Sequence, residues 1–441
     1  MGSTRVCGLV EKDLVGVAMT ENLLHYFWKL KNFSSQALQT TEGEPLRVLA
    51  CGTHNPDAGP DFLEARIEIG KAQWVGHIEL HLRSSDWSKH GHSPDAQYRN
   101  VILHVVYEHD KRIVYPSGKH IPTLALKPYL PYPKIAQYRE WMRTERRIPC
   151  EEQLCSLRSQ TLKAWLARVF SERLEEKLHQ IAERFDALIG DWEALLFEQL
   201  CACFGLRINF SAFQSLARSF PFSVFRKCQR DGDRLAALLY GQAGFLDSDF
   251  SDPYPESLRQ TYRFLVAKYH LSPLPGSPFR FHRLRPASFP TLRLAQLSAL
   301  YASQPQLFSK VVEARTQREV RSLFQVPIPS YWRTHYLFDR AAAPREKKLS
   351  KSFVQLLYIN ALLPVSYLYH RLHSSSHRAG ALLSPLSQMP PEKNAVIRYF
   401  QQSGVKPENA TEAQALLQLK KSYCDAKKCL SCGIGREILS R

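Results

Sequence analysis

Gly59-Pro60-Asp61-Phe62 is followed in the chain by Gly76-His77-Ile78-Glu79-Leu80-His81-Leu82-Arg83. Residues 61–69 and 72–83 alternate apolar and polar side chains, and Gly70-Lys71 between them has the composition of a tight turn, so the pair reads as a β-hairpin. Strand side chains point to opposite faces in turn, which puts Ile78, Leu80 and Leu82 on one face and His77, Glu79, His81 and Arg83 on the other. The loop 52–60 is dense in Gly, Pro, Asn and Asp, so it presents side chains and does not pack them. Upstream, residues 20–30 read as a helix capped by Thr20, with Glu21 and His25 one turn apart on the same face. Residues 46–50 form a short strand. Downstream, 101–108 gives a third strand carrying His104, and 121–126 a fourth.

The polar face has a chemistry. Asp61 and Glu79 supply two carboxylates, the oxygen ligands that hold Mg2+ or Mn2+ while leaving positions for water and a phosphate oxygen. His81 is placed to orient or deprotonate the attacking water. The competing reading is the solvated side of an amphipathic edge hairpin. The polar segment 84–92 reads as a substrate-facing loop; its His90 and His92 are an ordinary exposed pair, or zinc ligands together with His81 or Asp86.

Pro60-Asp61 and Glu79-Leu80-His81, separated by a hairpin, resemble the motifs of the PD-(D/E)xK nucleases, which have the restriction-endonuclease-like fold. The resemblance implies metal-dependent phosphodiester hydrolysis, with Asp61 and Glu79 as metal ligands and Glu21 as a further carboxylate from the preceding helix. It departs at His81, where the motif has Lys, and Arg83 on the same face is available to share that role. From end to end the chain resembles a bacterial family known only as a domain of unknown function. That likeness runs through 59–62, 76–87, 101–107, Arg285-Pro286, 289–296 and the tail cysteines.

The length of 441 residues exceeds one compact core and implies two or three domains. No run of about 18 uncharged apolar residues occurs and the first 14 residues lack a secretory signal, so a cytoplasmic protein without a membrane partner is expected. Lys and Arg number 59 against 41 Asp and Glu, a net charge of +18. This favours a polyanion such as DNA or RNA, although charge alone also suits an anionic membrane surface or an acidic protein.

The composition changes between 128 and 152, which marks a boundary. The expected architecture is an α+β or α/β nuclease-like domain, 1–145, with a mixed sheet flanked by helices, then a mainly α-helical domain, 146–441. Helical periodicity covers 162–203 with a break near Gly190-Asp191, then 211–220, 230–240, 255–269, 291–303, 306–313, 351–372 and 391–402. The prolines of 272–278 interrupt it. Cys201 and Cys203 read as small buried hydrophobes. Two basic clusters, one around Arg283, Arg285 and Arg293 and one around Arg345, Lys347 and Lys348, suit phosphate contacts or a solvated face.

The ten cysteines are too sparse for a disulfide scaffold. Cys424, Cys429 and Cys432 nevertheless put three thiols within nine residues. Such a trio calls for zinc or an iron–sulfur cluster with Cys150 or Cys155 as fourth ligand, or else for buried thiols without metal. It is similar to the cysteine trio of those PD-(D/E)xK nucleases that carry an iron–sulfur cluster. There, however, the longer gap comes second and the lone cysteine precedes the nuclease motifs, an order that Cys7 or Cys51 fits better. The expected function is a metal-dependent nuclease. The alternatives are a catalytically inactive nuclease-like scaffold binding nucleic acid or protein, and a hydrolase of a small phosphorylated substrate.

Overall fold

Thr20 caps the first helix, α1 (Glu21–Lys29), its hydroxyl accepting the Leu23 amide at 3.3 Å. The computed structural model describes residues 19–115, 118–276, 278–314, 316–373 and 376–441. The leader assessed at 1–14, Cys7 and Ser277 lie outside the described residues. After α1 come β1 (Leu46–Ala50), β2 (Thr53–His54), β3 (Phe62–Ile69), β4 (Ala72–Arg83), a short helix α2 (Asp86–Lys89), β5 (Val101–Glu108) and β6 (Thr123–Ala125). The sheet runs β1-β3-β4-β5-β6, with β2 also pairing with β3. β1, β3 and β4 pair antiparallel, whereas β5 joins β4, and β6 joins β5, in parallel. Parallel neighbours need a crossover, and residues 84–100 supply it.

That crossover explains the burial of β4. From Ile78 to His81 all four residues are buried, so the polar side of the strand is not solvated. α1 packs against β4 and brings in Leu23, Leu24, Phe27 and Trp28. A second cluster, Trp87 and Tyr98 from the crossover with Val101, Ile113 and Ile121, forms a separate apolar group. Gly76 permits the close approach of β5: a Cβ there would sit 2.5 Å from Ile102 and 2.6 Å from the Asn100 carbonyl.

The chain divides into two units. The first takes the described residues up to Leu166 together with Asn394–Lys406 and Leu416–Arg441. The second is Ala167–Lys393 with Pro407–Ala415. The tail therefore belongs to the sheet-bearing unit and not to the helical one, unlike the division 1–145 and 146–441. The reason lies in the last helix, Gly433–Ser440, which returns to the N-terminal region: the Asn32 amide donates to the Leu439 carbonyl at 3.1 Å, and Arg158 pairs with Glu437 at 2.7 Å. A helix Tyr132–Arg143, α3, occupies the stretch whose prolines read as a boundary; Pro133 sits in its first turn, where a missing N–H costs nothing.

The second unit is helical. It contains most of α4 (Ser159–Ala187), α5 (Trp192–Phe204) and α6 (Leu206–Arg218), followed by further helices around Pro290–Ser303, which is buried through Tyr301. Cys201 and Cys203 are buried in α5, as expected of small apolar residues. Lys351–Leu372 is the one described helix long and apolar enough to cross a membrane, and 67% of its apolar window is buried, as in a core helix.

Trp87 is fully buried, with its indole N–H donating to Ser93 Oγ at 3.1 Å. Trp87→Ala is expected to cost about 3–5 kcal/mol, the usual range for removing a core aromatic. Urea unfolding at pH 7 measures it; a loss under 1 kcal/mol would mean that the crossover is not packed as described.

Candidate metal centre

Asp61 stands at the entry to β3 and Glu79 near the middle of β4, and each is pinned to the other's strand. The Asp61 amide donates to Glu79 Oε2 at 3.1 Å, and the Leu80 amide donates to Asp61 Oδ2 at 2.9 Å. A β-bulge sets this alignment. The register passes from Phe62 opposite Ile78 to Ala65 opposite Gly76, one extra residue on β3, and Glu64 takes the left-handed conformation with φ of 57°. An L-residue pays roughly 1–2 kcal/mol for that backbone.

Imidazoles surround the carboxylates. His92 Nε2 lies 3.2 Å and His81 Nε2 3.5 Å from Glu79 Oε1, while His25 Nε2 lies 3.3 Å from Asp61 Oδ2. His81 is held from both sides: its Nε2 is 3.0 Å from His90 Nδ1, and its Nδ1 is 2.9 Å from His104 Nε2. One ligand nitrogen from each of His81, His90 and His92 falls within a sphere of mutual distances below 4.8 Å. The site is open from one side, with side-chain exposure falling from 22% at Asp61 to 6% at Glu79 and 2% at His81.

Burial dominates the electrostatics. It pushes the Glu79 carboxyl up, His92 pulls it back and the charge of Asp61 adds to the rise. It drives His81 down to about 3, reinforced by His104, His92 and His90, and His104 likewise to about 3. These imidazoles are neutral at pH 7, the form that binds metal. His92 Nε2 and His104 Nδ1 are buried without an aligned hydrogen bond, so His92 approaches Glu79 off the bonding direction. A divalent cation suits this donor set. Carboxylate oxygens and imidazole nitrogens are its normal ligands, and its charge offsets the desolvation of Glu79.

The expected residues fare differently. Asp61, Glu79 and His81 come together. Glu21 sits in the first turn of α1, and no ion pair or hydrogen bond joins it to them among the described residues; α1 reaches Asp61 through His25 instead, one turn on. His90 is exposed, as expected, and His92 half-buried, and the turn after α2 brings both imidazoles within reach of His81. Asp86 stays out: its carboxylate accepts the Arg83 amide at 3.0 Å and pairs with Lys89. Arg83 is exposed at the strand end.

At the tail, Cys150, Cys429 and Cys432 are buried and Cys424 is half-buried. Lys427 Nζ donates to the carbonyls of Met142 and Thr144, drawing the cysteine loop to the segment that leads into Cys150. Burial raises Cys424 well above the usual thiol range, and the charges of Cys150, Cys432 and Cys429 add to it. Among the described residues, however, no trio of sulfur atoms closes to 4.8 Å as the histidines do. Cys155 is exposed, and Cys51 is half-buried with its carbonyl accepting the Trp28 indole.

Two members of the expected basic clusters serve the core. Arg293 lies 3.7 Å over the Phe353 ring, and Lys347 Nζ donates to the carbonyls of Trp332, Arg333 and His335.

The lowered imidazoles fix a sign for acid. Unfolded, His81 and His104 take up protons near 6.5; folded, they resist until about 3. Stability is therefore kept above about pH 6.5 and lost as pH falls below it, by on the order of 2 kcal/mol for each of the two at pH 5. Glu79 acts oppositely, but only as pH nears the carboxylate range. Urea melts at pH 7 and 5 test this; His81→Gln should flatten the difference, and an unchanged slope would count against buried neutral imidazoles.

A family model described as a protein of unknown function, DUF2851, matches residues 21–395, which takes in α1 and the whole sheet and ends before Cys424. No curated protein and no solved structure matches the chain. With the match extending over more than half of its length, the chain belongs to the DUF2851 family.

Proposed function

We propose that this protein is a metal-dependent phosphodiesterase acting on nucleic acid, centred on Asp61, Glu79 and His81. The observation that carries the reading is the convergence of two strand-borne carboxylates with three imidazoles on a buried, one-sided site. The motif resemblance at Pro60-Asp61 and Glu79-Leu80-His81 supports it, since β3 and β4 pair antiparallel and bring Asp61 beside Glu79. The net charge of +18 supports a polyanionic substrate.

In this reading Asp61, Glu79, His81 and His92 hold the ion, and His104 orients His81 through its Nδ1. Bound there, a divalent cation lowers the pKa of a water and draws charge from a phosphate oxygen. His81 acts as a ligand and not as the base that takes the water's proton, because burial leaves it too weak a base. The mixed donor set favours Mn2+ or Zn2+ over Mg2+, which prefers oxygen and keeps its own waters. A second reading, an inactive nuclease-like scaffold, is favoured by one observation: both nitrogens of His81 already have imidazole partners.

Cleavage of labelled single- and double-stranded DNA and RNA with Mn2+ separates the two. Asp61→Asn and Glu79→Gln should each lower the rate by about 10²-fold or more with the fold retained by circular dichroism. Wild-type protein that binds Mn2+ but cuts none of the four substrates supports the scaffold.

The tail is proposed as a second centre, formed by Cys150, Cys424, Cys429 and Cys432. One tetrahedral zinc with Zn–S bonds of ~2.3 Å would draw four thiolates to within ~3.8 Å of each other. The resemblance of the trio to that of the cluster-bearing nucleases favours an iron–sulfur cluster, in which each thiolate binds a different iron. Protein purified without oxygen should contain iron and acid-labile sulfide, lost in Cys429→Ser. One zinc per chain without iron would contradict the cluster.

A further inference from the structure

The helical unit contains a cavity with cationic walls. It has a volume of about 710 Å³ and lies between α4, α5, α6 and the turn bearing Leu356 and Asn360. That is within the roughly 300–1,000 Å³ typical of small-molecule sites. Lys177, Arg184, Arg207 and Arg218 line it, and among the described residues no Asp or Glu does.

Two of these cations are fixed from behind. Glu198, buried beneath the cavity wall, accepts Arg184 Nε at 2.7 Å and Nη2 at 2.6 Å, and Arg218 Nε at 3.1 Å. One carboxylate thus orients two guanidinium groups and neutralises one of them. Arg207 is exposed at the mouth. Lys177 is set deeper, its Nζ donating to Asn360 Oδ1 at 3.1 Å. Burial pulls the Lys177 amine down to about 8, with Cys203 opposing and Arg173 adding to the fall.

Asn360 reaches Lys177 because its helix is interrupted there. Tyr358–Leu362 forms a π-turn, and the Asn360 amide donates to the Leu356 carbonyl at 3.0 Å. Such turns concentrate at functional sites. Glu198 and the charge of Glu392 offset part of the positive charge, yet four cations face the cavity with no carboxylate among its described lining residues, which suits an anion as their counterpart. Phe210, 42% exposed, lines the cavity together with the three arginines. Gln180, Gln199 and Gln214 add amides that both donate and accept.

We propose that this cavity binds a mononucleotide. The guanidinium groups and Lys177 hold the phosphate, Phe210 stacks on the base, and the glutamine amides meet its polar edge. The proposal is independent of the hydrolytic reading of the sheet.

Titration calorimetry of the full chain with AMP, adenosine and inorganic phosphate tests it. AMP should bind saturably, adenosine at least tenfold more weakly, and Arg207→Ala and Phe210→Ala should each weaken AMP at least tenfold. Both side chains are exposed, so these variants keep the fold; Lys177→Met is a third. Asp61→Asn should leave AMP affinity unchanged. Absence of saturable AMP binding, or the same affinity in Arg207→Ala and Phe210→Ala, overturns the proposal. Phosphate binding as tightly as AMP overturns the stacking role of Phe210. Loss of AMP binding in Asp61→Asn would place the nucleotide at the metal centre and overturn the cavity site.

Discussion

The reciprocal clasp between Asp61 and the Glu79-Leu80 segment is the constraint on which the sheet-bearing unit depends. Each carboxylate accepts an amide from the opposite strand, so neither can move without breaking a hydrogen bond of the β3–β4 pair. The bulge at Glu64 is the backbone cost of bringing Asp61 level with Glu79. A buried carboxylate without compensation is expensive, and the neutral imidazole of His81 reduces that cost only partly. The site is therefore electrostatically incomplete, which is the condition a divalent ion relieves.

The strands were legible because period-two alternation is a local property. Residues 72–83 carry it over twelve positions, and β4 spans Ala72–Arg83. Asp61 and Glu79 were legible for the same reason, since a hairpin with a tight turn dictates which residues face each other. The competing reading of a solvated polar face fails at Glu79 and His81, which are buried: residues 84–100 fold back over β4, and nothing in the hairpin itself encodes that cover.

Contacts made through tertiary packing were the hard part. Glu21 and His25 share a face of α1, and their spacing cannot say which of them lies over Asp61; the crossing of α1 on β4 selects His25. His90 and His92 lack a zinc-finger spacing because the third imidazole comes from a strand, not from the same loop. Cys150, named from the sequence as a candidate beside the tail cysteines, is likewise distant from them in the chain, and Lys427, bound to the Met142 and Thr144 carbonyls, draws that loop toward it. In the helical half, Arg293 and Lys347 read as phosphate contacts because composition does not distinguish a cation over a buried ring from one in water.

What the hairpin and its histidines share is a single donor set, oxygen from Asp61 and Glu79 and nitrogen from His81 and His92. Pulsed electron paramagnetic resonance of the Mn2+-loaded protein tests that set most directly. One tightly bound Mn2+ with nitrogen couplings from imidazole is expected, the couplings diminished in His92→Ala and absent together with the bound ion in Glu79→Gln. A Mn2+ spectrum without nitrogen couplings, or binding that survives Glu79→Gln unchanged, would contradict it.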